Sequence, residues 1–355
     1  MRVFACDACG QRVYFENGRC ERCGSELGFL PDRLRLVALR AVDDGGFETM
    51  DAAPARVRRC ANAQTAGCNW LTPAEEPPGP AMLCPSCELS RRIPDLGAAE
   101  NVTPWREAEA AKRRLVYAVL RFGLPLATPS GTPLVFDILT EAGEGAPVLT
   151  GHSDGVITLN LAEADPAERE RRRADLGEAF RTLLGHFRHE VGHFYWDALV
   201  RDGGPDRLQA CRAAFGDETA DYAGSLQRHY ARGAPAYWQA RFVSPYATMH
   251  PWEDFAETWA HYMHIVDALD TAAAFGVTLD SSAARDPTLG AEISGDYYAG
   301  GAIETLVNDW LPLSYAVNSL NRSLGQPDLY PFVLSAPAIA KLGFVHDLVH
   351  ARRPG

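Results

Sequence analysis

His189-Glu190-Val191-Gly192-His193, residues 189–193, lies inside a helical pattern that runs from Asp175 to Val200. Four residues apart on a helix, the two imidazoles share one face and can grip a single zinc ion. Glu190 projects beside that metal without ligating it, placed to take a proton from an activated water and later deliver it to a leaving amine. Phe180, Leu183, Leu184 and Phe187 fall near one stripe with Val191, and Phe194 and Trp196 extend the apolar surroundings, so this helix is predicted to be buried. A buried histidine pair without a ligand is costly, which favours a metal over two packing imidazoles.

A catalytic zinc takes three protein ligands and keeps one position for water. Pro251 to Ala268 (PWEDFAETWAHYMHIVDA) reads as a second helix, with Pro in its first turn and Phe255, Trp259, Tyr262, Met263 and Val266 on an apolar face. It carries Glu253, Glu257 and His261 at i, i+4 and i+8. On residue type alone, Glu253 ligates, or His261 ligates with Glu253 further out, or the two glutamates form a solvated face. Asp217, Glu218 and Asp221 in FGDETADY compete, although that stretch also reads as an ordinary capped helix. His250 and His264 are read as having local roles, and Cys211 as a packing residue.

The other eight of the nine cysteines fall in the first 87 residues. Cys6, Cys9, Cys20 and Cys23 form two C-x-x-C knuckles, the arrangement that closes a thiolate tetrahedron around zinc. Cys60, Cys68, Cys84 and Cys87 offer a second, less regular set of four. The expectation is two structural zinc ions here and one catalytic zinc downstream. Between the groups, Phe29 to Phe47 alternates as a strand does, and Pro73 to Pro80 reads as a loop. Composition changes near residue 100. The reading is therefore a zinc-ribbon region over 1–100, with sites at about 1–30 and 55–95, and a second domain over 101–355. There Pro133 to Thr140 and Gly155 to Leu161 read as strands, and Pro104 to Gly123, Ala302 to Leu324 and Pro337 to Ala351 as helices.

With 34 Lys+Arg against 46 Asp+Glu, the formal charge of -12 opposes indiscriminate attraction to phosphate backbones or anionic membranes. Residues 1–100 hold 12 Arg, no Lys and 14 acidic residues; Arg56, Arg58 and Arg59 cluster and read as a solvated patch in preference to a nucleic-acid contact, while a protein or nucleic-acid partner of the ribbons stays open. No apolar run is long enough to span a bilayer, and the first residues lack the apolar core of an export signal, so a cytoplasmic protein without membrane contact is expected.

Glu253-Asp254-Phe255-Ala256-Glu257 resembles the downstream segment of thermolysin-like and lethal-factor-like zincins. That resemblance implies Glu253 as third ligand, Glu257 as the carboxylate fixing a histidine tautomer with His261 nearby, and Tyr246, seven residues before Glu253, as a phenol able to stabilise an oxyanion. Gly155 to Leu161 resembles the edge strand on which such enzymes lay an extended peptide. Together with RRCAN, GCNWL, CPSC and IPDL, the segments HEVGHFYWD and PWEDFAETWAHY resemble the bacterial zinc-binding metallopeptidases that carry an N-terminal zinc ribbon. The resemblance spans nearly the whole chain and implies an α+β protein: tandem zinc-ribbon-like modules, then a mostly helical zincin-like domain with a small sheet. It implies hydrolysis of a peptide or protein by metal-activated water with Glu190 as base. A ribbon adaptor with a non-catalytic zincin domain, or a zinc amidase on a non-peptide substrate, are the competing expectations.

Overall fold

The computed structural model describes residues 2–43, 45–74, 82–141, 148–175, 182–280, 282 and 286–351. The chain forms two compact units. The first comprises Met1–Gly123, Val135–Leu149 and Leu159–Ala164, and the second Leu124–Leu134, Thr150–Thr158 and Asp165–Gly355.

In the first unit β1 (Phe4–Ala5) and β2 (Arg12–Val13) form a small ladder at the first cysteine group. β3 (Glu26–Leu30), β4 (Arg35–Ala41), β5 (Phe47–Thr49), β6 (Arg56–Arg59) and β7 (Leu71–Pro73) follow as one antiparallel sheet in chain order. β4 is buried on both faces: Leu36 and Ala38 join one core while Val37 and Leu39 join another with Leu30, Val57 and Leu71. The first of these cores also holds six of the eight clustered cysteines that are fully buried, together with Phe15, Phe29 and Trp70. The stretch read as a connector is thus the centre of the unit, and both cysteine groups pack into a common core.

α1 (Pro85–Glu88) carries Cys87, and β8 (Ser90–Arg92) leads into α2 (Ala99–Arg121). α2 contributes Val116 and Tyr117 to the cysteine core, and Tyr117 lies 5.2 Å from Phe15. Packing therefore divides the chain after α2, not at the compositional change near residue 100, because the apolar face of that helix is covered by ribbon residues. β9 (Val135–Leu139) pairs in parallel with β8.

β10 (Gly151–Ser153) of the second unit forms a hairpin with β11 (Val156–Asn160) through Asp154 and Gly155, both at positive φ (47° and 79°), as a tight two-residue turn requires. A Cβ on Gly155 would lie 2.5 Å from the Pro133 carbonyl oxygen, so only glycine fits. Among the described residues β10, and not Gly155–Leu161 as expected, stands at this end of the strand order; the Asp-Gly turn folds an extra strand onto β11.

Helices α3 (Pro166–Asp175), α4 (Leu183–Tyr195), α5 (Pro205–Phe215), α6 (Tyr222–Arg232), α7 (Pro251–Phe275), α8 (Ile303–Ser323) and α9 (Ala336–His350) complete the unit. α4 starts later than the expected Asp175: Thr182 is extended and its hydroxyl accepts from the Gly185 N–H, a side-chain cap that sets the first turn. The start of the expected helix, Phe180 included, and the Pro-rich loop from residue 75 onward lie outside the described residues. A π-helical turn (Trp196–Arg201) follows α4 directly. α7 begins at Pro251 behind His250, whose ring accepts from the Trp252 N–H, and stops at Gly276 in the left-handed conformation.

α4 packs on α7, and Gly192 is the reason the two come so close. A Cβ there would stand 3.0 Å from the Ala256 Cα and 3.2 Å from the Trp259 Cβ. Further along the same contact, buried Arg188 binds His264 Nδ1 at 2.6 Å and pairs with Asp267. Asp254 turns to the far side of α7 and pairs with Lys341 of α9 at 2.5 Å, which fixes the rotation of the helix that carries the glutamates.

Candidate metal centre

The close approach of α4 and α7 brings His189, His193 and Glu253 together, with their ligand atoms all within 4.8 Å of one another. Glu253 Oε2 lies 2.9 Å from His189 Nε2 and 3.4 Å from His193 Nε2. Three ligands at zinc bond lengths of 2.0–2.1 Å span edges of roughly 3.3 Å in a tetrahedron, so these separations fit one divalent ion. The donor set is equally suitable: two imidazoles and one carboxylate.

Two of the three ligands are tied from behind, His189 by Glu257 and Glu253 by the Tyr222 hydroxyl, whereas His193 Nδ1 is buried without a hydrogen-bond partner among the described residues. His189 Nδ1 lies 2.6 Å from Glu257 Oε1, so the imidazole presents Nε2 to Glu253, and the other Glu257 oxygen accepts from the Ser244 hydroxyl. Burial opposes charge on His189, yet the bonds to Glu253 and Glu257 raise its pKa well above the usual range. Burial acts against Glu253 in turn, and the two histidines overcome it and hold its carboxyl well below the usual value. Glu257 falls to about 2, burial being outweighed by the His189 and Ser244 bonds. The pocket is thus built to hold positive charge between histidine and carboxylate. Two rings pack beside His193: the Trp252 ring lies 3.8 Å from it and the His152 ring, carried on β10, 6.1 Å away. Burial, then the charges of His193 and Arg201, lower His152 to about 4, which keeps it neutral.

Glu190 is half-buried beside the cluster and is not one of its members. Burial raises its pKa foremost, with His189 and His193 opposing, which moves a carboxylate toward the range useful to a general base. Tyr246 sits on a short 3-10 turn (Tyr246–Thr248) ahead of α7, its ring 5.8 Å from His189. Burial and the Glu253 charge push its phenol up, so it stays protonated.

His261, the alternative ligand, is elsewhere: its Nδ1 lies 2.7 Å from the Tyr330 hydroxyl and its ring packs 4.4 Å from Phe332. The FGDETADY carboxylates are also accounted for, Glu218 by Arg212 at 2.5 Å, Asp217 by Thr219, and Asp221 as the cap of α6. The next residue was missed: the Tyr222 hydroxyl donates to Glu253 Oε1 at 2.8 Å. Ser244, Trp252 and His152 were missed too; of these only the strand holding His152 had a local signal, the Asp-Gly turn. Cys211 is buried in α5, and burial pushes its thiol to about 12, far from a nucleophile.

The two cysteine groups form clusters of the same compactness. Cys6 and Cys23 Sγ are 3.8 Å apart, Cys9 and Cys20 3.6 Å, Cys68 and Cys84 3.7 Å, and no disulfide is formed by any of them. Zinc–sulfur bonds of 2.3 Å give tetrahedral edges of about 3.8 Å. The Cys84 N–H also points at Cys60 Sγ at 3.3 Å, a backbone donor to a thiolate.

Residues 101–348 match the family described as "Putative zinc-binding metallo-peptidase". The chain belongs to that family. Residues 3–98 match a zinc-ribbon domain, so the family change falls at the compositional boundary although the packing boundary lies later. Proteins described as uncharacterized from Mycobacterium bovis and from two strains of Mycobacterium tuberculosis are 44% identical over 357 residues, covering 100% of this chain and 97% of theirs. No solved structure matches. This metallopeptidase-family chain joins a cysteine-rich zinc-ribbon region to a mainly helical unit, and among the described residues no helix is long and apolar enough to cross a membrane.

Proposed function

We propose that the protein is a zinc-dependent peptidase that hydrolyses a peptide or amide bond, with His189, His193 and Glu253 holding one zinc and the two cysteine groups holding one structural zinc each. The observation that carries this reading is the convergence of two α4 imidazoles and one α7 carboxylate beside an uncommitted Glu190. A zinc ion held there supplies the Lewis acidity that polarises a carbonyl and acidifies water. Glu190 accepts the proton of the attacking water and passes it to the departing nitrogen. Tyr246 offers a phenolic O–H to the oxygen that gains charge. β10, at the end of its strand order and bearing His152 beside His193, is the strand along which an extended peptide aligns. The unbridged cysteines accord with a reducing cytoplasm.

The test pairs metal analysis with turnover. Wild type is expected to bind three zinc ions, a His189→Ala/His193→Ala double variant two, and Glu190→Gln three. Cleavage of a diverse peptide library falls about 10²–10⁴-fold in Glu190→Gln. Three bound ions with no cleavage of peptides or small amides by wild type rejects the hydrolase reading in favour of an adaptor.

A further inference from the structure

The proposed ligand Glu253 has two carboxylate oxygens with different surroundings. Oε2 faces both histidines, at 2.9 and 3.4 Å, whereas Oε1 accepts the Tyr222 hydroxyl at 2.8 Å. A carboxylate can bind a metal through one oxygen or both, and a hydrogen bond to one of them biases it toward ligation by the other, because the bonded oxygen has one of its two lone pairs engaged and gives up electron density. Tyr222 is the first residue of α6, locked there by the Asp221 cap, and its ring stands edge-on to His250 at 5.2 Å.

From this we infer that Tyr222 is a positioning residue that holds Glu253 to one-oxygen ligation and so keeps a metal with one bound water four-coordinate rather than five-coordinate. The inference rests on the metal-binding role proposed for His189, His193 and Glu253. It also links α6 to the centre. α6 has no buried residue, and it reaches the site through Tyr222 and through His229, whose ring meets Tyr246 edge-on at 5.7 Å.

The experiment keeps zinc in the thiolate sites, depletes the third site with a mild chelator and reloads it with cobalt(II), whose visible d–d absorption is intense in four-coordinate and weak in five-coordinate sites. Wild type is expected to show the intense band. Tyr222→Phe is expected to show a weaker band, as Glu253 closes on the ion with both oxygens, and a cobalt affinity changed by about tenfold to a hundredfold. Tyr230→Phe, an exposed position on the same helix, serves as the control with a wild-type spectrum. A Tyr222→Phe band and affinity equal to wild type overturn the inference while leaving the metal site standing. Cobalt uptake that is the same in wild type and in His189→Ala/His193→Ala overturns the metal site and the inference with it.

Discussion

The cysteine clusters and the histidine–glutamate cluster both place ligands at zinc distances, but they are built in opposite ways. In the first unit four thiolates leave no position open, and the ligands are themselves part of the core: Cys6, Cys20, Cys60, Cys68, Cys84 and Cys87 pack with Phe15, Phe29 and Trp70. Short strands and a four-residue helix hold them, elements too small to fix a site unaided. In the second unit a 13-residue and a 25-residue helix meet through Gly192, Arg188 and Asp267, and the ligands are a small part of that contact. The comparison teaches that the candidate ligands are themselves the core in one region, whereas in the other a helix contact made by different residues builds the candidate site.

Removing one ligand from each region is the strongest way to break that contrast. Cys84→Ser is expected to abolish the cooperative unfolding of the first unit, since structural zinc supplies on the order of 10 kcal/mol to comparable small domains. His193→Ala is expected to leave the melting of the second unit nearly intact while lowering zinc content by one. Calorimetry with metal analysis checks both, and equal losses of stability would erase the distinction.

A subtler change sharpens it. Glu257→Gln keeps the volume but weakens the bond that orients His189, so zinc affinity at the histidine site is expected to fall about 10–100-fold. Chelator competition measures this, with the thiolate sites as internal standard. Another effect concerns pH. Burial foremost lowers His261 from 6.5 to about 4, Glu257 opposing and His189 adding to the shift. Between those values the unfolded chain takes up a proton that the folded chain refuses, so stability is complete above pH 6.5 and declines as pH falls toward 4. The loss is at most about 3 kcal/mol. Thermal melts of wild type and His261→Gln across this range report it, and identical acid limbs would exclude the histidine as their source.

What the sequence revealed follows the same divide between local and distant. HEVGH and the Glu253–Glu257 interval are one-turn spacings, and helix geometry alone brings their side chains onto a common face. The paired cysteine knuckles are equally local. Tyr222 lies 31 residues before Glu253 and Ser244 sits in a loop, so neither is linked to the centre by any spacing a helix or strand imposes. α2 shows the same limit: its periodicity predicts a buried face, but not that Val116 and Tyr117 bury it against cysteines. The edge strand differs from expectation because Asp154-Gly155 is the bend of a hairpin, a pairing that the alternation of Gly155 to Leu161 does not disclose.

Gly192 sets a price on tolerance to mutation. In an exposed helix, alanine in place of glycine gains about 1 kcal/mol. Here the added methyl must push α4 from Ala256 and Trp259 by tenths of an ångström, as much as metal–ligand bonds accept. Selection for a sturdier helix and selection for a working centre therefore pull this one position in opposite directions.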